Sequence, residues 1–461
     1  MMPQVAGSVS RYPARASLAW FLGMIVVGSV LLSLPFSSAH SNRPISPLDA
    51  AFTATSAACV TGLAVRSTPH DFSAWGQLVI LVLFQIGGVG IMTLTTFVVF
   101  QLGARGTMRH RKVLESTLGT SDGTDLRTIL WSVLGLTAVC ELTGFALLFV
   151  HRLWTQTSDV AEAAWWALFH AVSAFCNAGF ALHDDSLSGY ASDWFVCGVV
   201  MSLVMIGGIG YPVLLDLLRR RGAENWSRYC ERLQLHTKLT IIASCVLWVV
   251  PAMLFLVIEW DGVFAHLPPA SRPLAAMFQS VTSRTAGFNT VEIGQLSSAA
   301  LFITILLMFV GAGACSTAGG FKVSTASVLV LRAWNTFRGR TRINVFRRTI
   351  APQAVERATA TAMLFISVAV AALVALLLVE ELSSQQSADT LFRNVLFEVA
   401  SALGTVGLST GITPTLTDLG KAIIIGLMFM GRLGPISVFA ALSRANQNEP
   451  LEYSSEEPLV G

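Results

Sequence analysis

The chain has 461 residues, 53% hydrophobic and only 12% charged, a balance that excludes an ordinary soluble globular protein and points to a polytopic membrane protein. The net charge of +3 is too small to signal a nucleic-acid partner, so the information lies in where the charges sit. The seven cysteines (Cys59, Cys140, Cys176, Cys197, Cys230, Cys245, Cys315) form no CxxC pair and lie mostly in apolar stretches, which predicts reduced thiols and excludes a disulfide frame or a zinc site.

Taken in order, eight apolar segments reach the roughly 20 residues that a helix needs to cross a bilayer. They run approximately over 17–36, 75–102, 126–151, 193–218, 237–260, 298–331, 354–380 and 419–442. The first lacks an Ala-x-Ala cleavage pattern and is expected to be retained. Within each successive pair lies a run of ten to fifteen residues, too short to span, which suits a re-entrant half-helix. The four runs are Phe52–Leu63 (FTATSAACVTGL), Phe169–Phe180 (FHAVSAFCNAGF), Phe278–Phe288 (FQSVTSRTAGF) and Phe397–Leu408 (FEVASALGTVGL). They align on Gly62, Gly179, Gly287 and Gly407, with Ser56, Ser173 and Ser401 four residues after the Phe; the third copy is one residue shorter and has Thr282 there.

The predicted fold is therefore all-α: four parallel repeats of first helix (M1), pore helix, polar turn and second helix (M2), with pseudo-fourfold symmetry around a central ion pore. The repeats occupy 1–103, 104–222, 223–340 and 341–445, and 446–461 forms an acidic, flexible cytoplasmic tail. Basic residues set the orientation. Arg105, Arg109, Arg111 and Lys112, then Arg219, Arg220, Arg221, Arg228 and Arg232, then Arg338, Arg340, Arg342, Arg347 and Arg348 mark the links between repeats as cytoplasmic, and Arg11, Arg15 and Arg444 put both termini on that side. Acids cluster in the segments that hold the turns, among them Asp159, Glu162, Asp184, Asp185, Glu292, Glu380 and Glu381. Repeats of one orientation favour a central pore over the inverted halves of a rocking carrier.

A cation leaving water needs replacement oxygens, and rings of backbone carbonyls supply them. Glycine allows the positive φ angles that aim carbonyls inward. The candidate lining is Cys59, Val60, Thr61 and Gly62; Cys176, Asn177, Ala178 and Gly179; Arg284, Thr285, Ala286 and Gly287; and Gly404, Thr405, Val406 and Gly407. No carboxylate sits in these turns, so attraction would come from carbonyl dipoles and the C-terminal ends of the pore helices. The second helices carry glycines at Gly87, Gly207, Gly311 and Gly431, which suit close helix packing. In the third, Gly311, Ala312, Gly313, Ala314, Cys315, Ser316, Thr317, Ala318, Gly319 and Gly320 should unwind, and unwound backbone at membrane depth is tolerated only against protein or water. This stretch is a candidate movable obstruction under the turns. Arg432, at the equivalent level of the fourth repeat, can serve as a latch or a plain structural tie to its free carbonyls. Glu141 and Arg284 lie at similar depths and are a candidate pair; His170 and Glu398 sit at matching places in two pore helices, and Lys322 marks where the broken helix restarts.

With SRTAGFNT (283–290), GTVGLSTG (404–411), FCNAGF (175–180) and CVTGL (59–63) on this plan, the chain resembles the Trk/Ktr/HKT superfamily of potassium transporters over nearly its whole length, and its Ktr branch more than its Trk branch. The resemblance implies K⁺ uptake across the cytoplasmic membrane, K⁺ held at the turns, and a gate made of residues 311–320 and Arg432. It further implies a homodimer in membrane lipid, seated on a cytoplasmic ring of nucleotide-binding regulatory subunits of the KtrA/TrkA kind. No cofactor of the chain's own is implied, and Na⁺ is a candidate stimulator. A Na⁺- or H⁺-coupled secondary carrier is the main rival. An enzyme is disfavoured, since no HExxH, GxSxG or paired membrane aspartates are present.

Overall fold

The computed structural model describes residues 13–40, 44–104, 126–155, 159–219, 226–382 and 387–434. The long and medium helices are, in order, α1 (Pro13–Ser33), α2 (Pro47–Ala58), α3 (Ala74–Ala104), α4 (Leu126–Thr155), α5 (Val160–Cys176), α6 (Trp194–Ile209), α7 (Tyr211–Arg219), α8 (Leu235–Ile258), α9 (Arg272–Thr282), α10 (Ser298–Phe309), α11 (Val323–Phe337), α12 (Pro352–Glu381), α13 (Ala388–Gly404) and α14 (Asp418–Leu433). Strand among the described residues is limited to a hairpin of β1 (Asn344–Val345) and β2 (Arg348–Thr349) in the link before α12.

Solvent preference is inverted relative to a soluble protein. Helices α1, α4, α8 and α12 expose Val26, Val27, Leu142, Val150, Val246, Val249, Ile366 and Val370, while α2, α5, α9 and α13 bury Thr55, Ser56, His170, Ser173, Gln279, Ser280, Glu398 and Ser401. Apolar side chains outward and hydroxyls inward is what a bilayer solvent demands. Two of the inner helices and three of the helices that follow start at side-chain caps that satisfy otherwise unpaired amides. Ser46 caps α2, Asp159 caps α5, Asp193 caps α6, Ser297 caps α10 and Thr417 caps α14. Carboxylates at the ends of two outer helices tie the same level together. Glu259 Oε1 accepts from Ser297 N (2.9 Å), and Glu380 Oε1 accepts from Thr417 N (3.0 Å) and Oγ1 (2.7 Å). Asp49, in the first turn of α2, accepts from Lys421 Nζ of α14 and Arg66 Nε, both at 2.9 Å, joining the first segment of the chain to the last.

Each of the eight expected crossings contains helix, but not each is one continuous span. Among the described residues four helices are long and apolar enough to cross a membrane, Ala74–Thr93, Leu130–Thr155, Leu235–Ile258 and Pro352–Glu381, and a bent pair makes five. The segment expected as a single crossing at 193–218 turns by 97° between α6 and α7, at Gly210 (φ +99°). That expected at 298–331 is two helices, α10 and α11, separated by residues 310–322. The inner helices α5 and α13 are 17 residues long, beyond the expected ten to fifteen, because acidic first turns (Glu162, Asp389) extend them past the apolar run. The residues Arg11, Arg105, Arg109, Arg111, Lys112, Arg220, Arg221, Arg444 and the tail 446–461 lie outside the described residues.

Candidate functional site

The four turns are built alike. A backbone bond closes the end of each inner helix: Thr61 N to Ser56 O (2.7 Å), Ala178 N to Ser173 O (2.8 Å), Ala286 N to Thr282 O (3.0 Å) and Val406 N to Ser401 O (2.8 Å). The hydroxyls singled out by the sequence alignment then stitch the next residues. Ser56 and Ser401 Oγ accept from Gly62 N and Gly407 N (3.1 Å each), while Ser173 Oγ and Thr282 Oγ1 donate to Phe180 O (2.7 Å) and Phe288 O (2.6 Å).

Left-handed backbone recurs in register at Val60 and Gly62 (φ +55°, +92°), Asn177 and Gly179 (+59°, +71°), Thr285 and Gly287 (+72°, +79°), and Thr405 and Gly407 (+50°, +92°). The residue between each pair keeps a negative φ. Alternating handedness turns successive carbonyls toward one side, where an extended strand would alternate them. Among the described residues, no hydrogen bond ends on the carbonyl oxygens of Val60 to Gly62, Asn177 to Gly179, Thr285 to Gly287 or Thr405 to Gly407. Buried backbone acceptors are rarely left so. Four side-chain oxygens in the same turns, Thr61 Oγ1, Asn177 Oδ1, Thr285 Oγ1 and Thr405 Oγ1, are also buried without a partner.

The turns meet. A Cβ placed on Gly62 would stand 2.6 Å from the Ala178 oxygen and 3.0 Å from Gly179 Cα; one on Gly179 would stand 3.1 Å from the Ala286 oxygen and 3.0 Å from Gly287 Cα. On Gly287 it would stand 2.5 Å from the Val406 oxygen and 3.3 Å from Gly407 Cα, and on Gly407 it would strike the Thr61 oxygen, 3.0 Å from Gly62 Cα. The contacts close a ring in chain order, 62 to 179 to 287 to 407 and back. The glycines of the following helices serve close packing: a Cβ on Gly87, Gly207 or Gly431 would strike the carbonyl of Ala58, Phe175 or Leu403, four residues before the turn glycine.

The segment between α10 and α11 lies against this ring. Gly311 N bonds Phe321 O (2.8 Å) and Val323 N bonds Ala312 O (3.0 Å), drawing its ends together. Gly313 N reaches Gly208 O (2.8 Å), Thr317 N reaches Gly207 O (3.2 Å) and Tyr211 N reaches Cys315 O (3.1 Å), so the segment docks on the bend between α6 and α7. Gly319 lies against Thr405 and Gly320 against Gly404. Three cations hold its carbonyls. Arg432 donates to Thr317 O (2.5 Å) and Gly87 O (2.7 Å), Arg284 to Gly311 O (3.1 Å), and Lys322 to Ala318 O (2.7 Å) and Gly319 O (3.3 Å). Charge-assisted bonds to unwound backbone satisfy both the buried cations and the carbonyls.

The structure thus brings together the turn residues, residues 311–320 and Arg432. Cys59, Cys176, Arg284 and Gly404 sit at the right-handed ends of the inner helices, one residue before the left-handed step, and the Arg284 side chain leaves the ring for Ser244 O (3.3 Å) and the Trp248 face (5.4 Å). Glu141 and Arg284 do not pair. Glu141 Oε2 instead accepts from Gln85 Nε2 (3.0 Å), because α4 packs beside α3 there. His170 and Glu398 make local bonds that tie inner helix to outgoing chain: His170 Nε2 accepts from Leu182 N (3.4 Å), and Glu398 accepts from Ser409 Oγ (2.9 Å) and Thr413 Oγ1 (2.5 Å). Lys322 is the residue at which helix resumes. Sequence reasoning missed Gln85, Ser244, the Gly210 bend and the buried Thr53 and Gln279; the last two occupy the place after the Phe where His170 and Glu398 stand, so a polar residue in all four copies was the available signal.

Buried polar inner helices ringed by apolar outer ones, with four backbone turns in mutual contact, define a helical membrane protein organised around a central ring of carbonyls. The chain belongs to the TrkH family of cation transport proteins, whose family model matches residues 20–450. It is 36% identical over 451 residues to the Ktr system potassium uptake protein B of Vibrio alginolyticus (97% of this chain, 94% of that one) and 35% identical over 456 residues to the protein of that name from Bacillus subtilis (97% and 96%). It is 34% identical over 452 residues to the potassium/sodium uptake protein NtpJ of Enterococcus hirae (97% of each chain). The crystal structure of the potassium transporter TrkH from Vibrio parahaemolyticus has a similar fold, with TM-score 0.69 at 20% identity, covering 93% of this chain and 85% of that one.

Proposed function

We propose that this chain is the ion-translocating membrane subunit of a Ktr-type potassium uptake system, a channel-like pore with four pseudo-symmetric repeats around one axis. The observation that carries the reading is the ring of four left-handed turns whose carbonyl oxygens accept no hydrogen bond from the described residues. In this reading K⁺ sheds water and is taken up by those oxygens, with the buried hydroxyls of Thr61, Thr285 and Thr405 and the Asn177 amide oxygen as further ligands or water partners. Residues 311–320 obstruct the path on the inner side of the ring, and Arg432 latches them. The relatives called Ktr system potassium uptake protein B support the ion and the system. The word system in those names supports a further component, and in our reading the subunit works as a homodimer in the cytoplasmic membrane, both termini inside, under a cytoplasmic nucleotide-binding partner.

Uptake of K⁺, Rb⁺ and Na⁺ into liposomes holding the full chain, with and without the regulatory subunit, tests this. Flux down the K⁺ gradient with K⁺ and Rb⁺ favoured over Na⁺ is expected. Flux that saturates and strictly requires a co-ion would replace the pore by a coupled carrier, a second reading favoured by likeness to a protein named for both potassium and sodium uptake.

A further inference from the structure

Thr317 spends all its polar groups on different parts of the molecule. Its N–H donates to Gly207 O (3.2 Å), its carbonyl accepts from Arg432 (2.5 Å), and its hydroxyl donates to Phe175 O (3.1 Å) while accepting from Asn177 Nδ2 (2.8 Å). Asn177 is fully buried, left-handed (φ +59°) and one of the residues whose backbone oxygen belongs to the ring. The matching positions offer nothing comparable among the described residues. Val60 is apolar, and the hydroxyls of Thr285 and Thr405 have no hydrogen-bond partner, although Thr405 lies against Gly319. Arg284, at the helix end before the third turn, reaches Gly311 O (3.1 Å), but among the described left-handed residues of the four turns Asn177 is the one hydrogen-bonded through its side chain to the broken segment.

We propose that the Asn177–Thr317 hydrogen bond couples the position of the broken segment to the shape of the second turn, making Asn177 a specificity-determining positioning residue. This rests on the reading of the ring as the ion-selective element. If the segment withdraws, the Asn177 amide, whose oxygen is already unpartnered, loses its nitrogen's acceptor as well. A buried amide left wholly unsatisfied is costly and must reorient. Where close packing around this fully buried side chain blocks rotation about χ1 and χ2, the left-handed backbone gives instead and turns the Asn177 carbonyl. Opening and remodelling of the selective ring are then a single event, and selectivity depends on a residue of the gate.

An asparagine at a left-handed helix end is also favoured for its backbone alone, and Asn177→Gly separates the two roles, since it keeps the cap and removes the amide. Thr317→Val removes the hydroxyl and keeps the shape. The full chain and these variants, singly and together, are compared in proteoliposomes for K⁺ against Na⁺ uptake, and for alkylation of Cys315 on the segment by peptide mass spectrometry. We expect each single variant to lower the K⁺/Na⁺ ratio about five-fold, the scale of one buried hydrogen bond, and to raise Cys315 labelling, with the double variant no lower in ratio than the stronger single. A wild-type ratio and labelling in Asn177→Gly would overturn the proposal, as would a Thr317→Val that labels faster with its ratio intact. Should the wild type itself fail to prefer K⁺, the transport reading has failed, and Cys315 labelling still decides the link: unchanged labelling in both singles overturns it.

Discussion

Replacing Gly287 by Ser tests the ring most directly. The residue has φ +79°, a region that costs a side-chain-bearing residue roughly 1–2 kcal/mol. Its new Cβ would stand 2.5 Å from the Val406 oxygen, where a carbon rests at about 3.3 Å or more, so that oxygen must retreat by about 0.8 Å. The same Cβ would stand 3.0 Å from Gly179 Cα and 3.3 Å from Gly407 Cα, so both neighbouring turns are disturbed. A shift of that size alters ion–oxygen distances enough to blur two alkali cations that differ only in radius. We expect the K⁺/Na⁺ uptake ratio to fall at least about tenfold, roughly 1.4 kcal/mol of lost discrimination, in protein that remains monodisperse and folded. Gly407→Ser, whose Cβ would strike the Thr61 oxygen from a φ of +92°, should behave alike. Uptake of both ions into proteoliposomes under matched gradients is the measurement. Unchanged ratios in both folded variants would refute the assignment of the ring as the selective element.

Shortening the segment within Ala312–Ala318 should raise ion flux, and Arg432→Ala, which frees the Thr317 and Gly87 carbonyls from bonds of roughly 1.5–3 kcal/mol each, should act in the same direction; unchanged or reduced flux in folded protein counts against an obstruction. Asp49→Asn leaves Lys421 and Arg66 without their carboxylate and should destabilise by roughly 2–3 kcal/mol, the half-exposed Arg66 keeping the loss below that of a fully buried pair; an unchanged melting temperature in detergent contradicts it. In the loop after the second turn, burial, then the nearby Arg152 guanidinium, lowers the pKa of His183 against the opposing pull of Asp185, Glu162 and Asp184, and its Nε2 accepts from Trp166 Nε1 (3.0 Å). The unfolded chain then binds a proton first as pH falls, so the contribution of neutral His183 is whole above about pH 6.5 and is lost as pH drops through its lowered folded value. His183→Gln should therefore flatten the fall in melting temperature between about pH 6.5 and 5, and an identical slope would exclude this group as its source.

Elements that obey a local rule could be read from the residues alone. A positive φ at a helix end calls for glycine, and a hydroxyl four residues after the Phe can reach the outgoing chain, so the four turns and their alignment were legible without coordinates, as was the break that follows Gly311. Helix lengths were less so, because an apolar count sees neither the polar first turns that lengthen α5 and α13 nor the bend at Gly210, whose necessity comes from the Ala314 carbonyl packed where a Cβ would stand. Partners of buried charge were not legible at all. Arg284 and Glu141 have similar depth and opposite sign, yet one goes to Ser244 and Gly311 and the other to Gln85, since a long side chain follows whichever helix packs beside it. Which turn touches which, and that Thr317 rather than a neighbour joins Asn177 to Arg432, belongs to tertiary structure alone: these contacts link residues more than a hundred positions apart, and no local periodicity encodes their geometry.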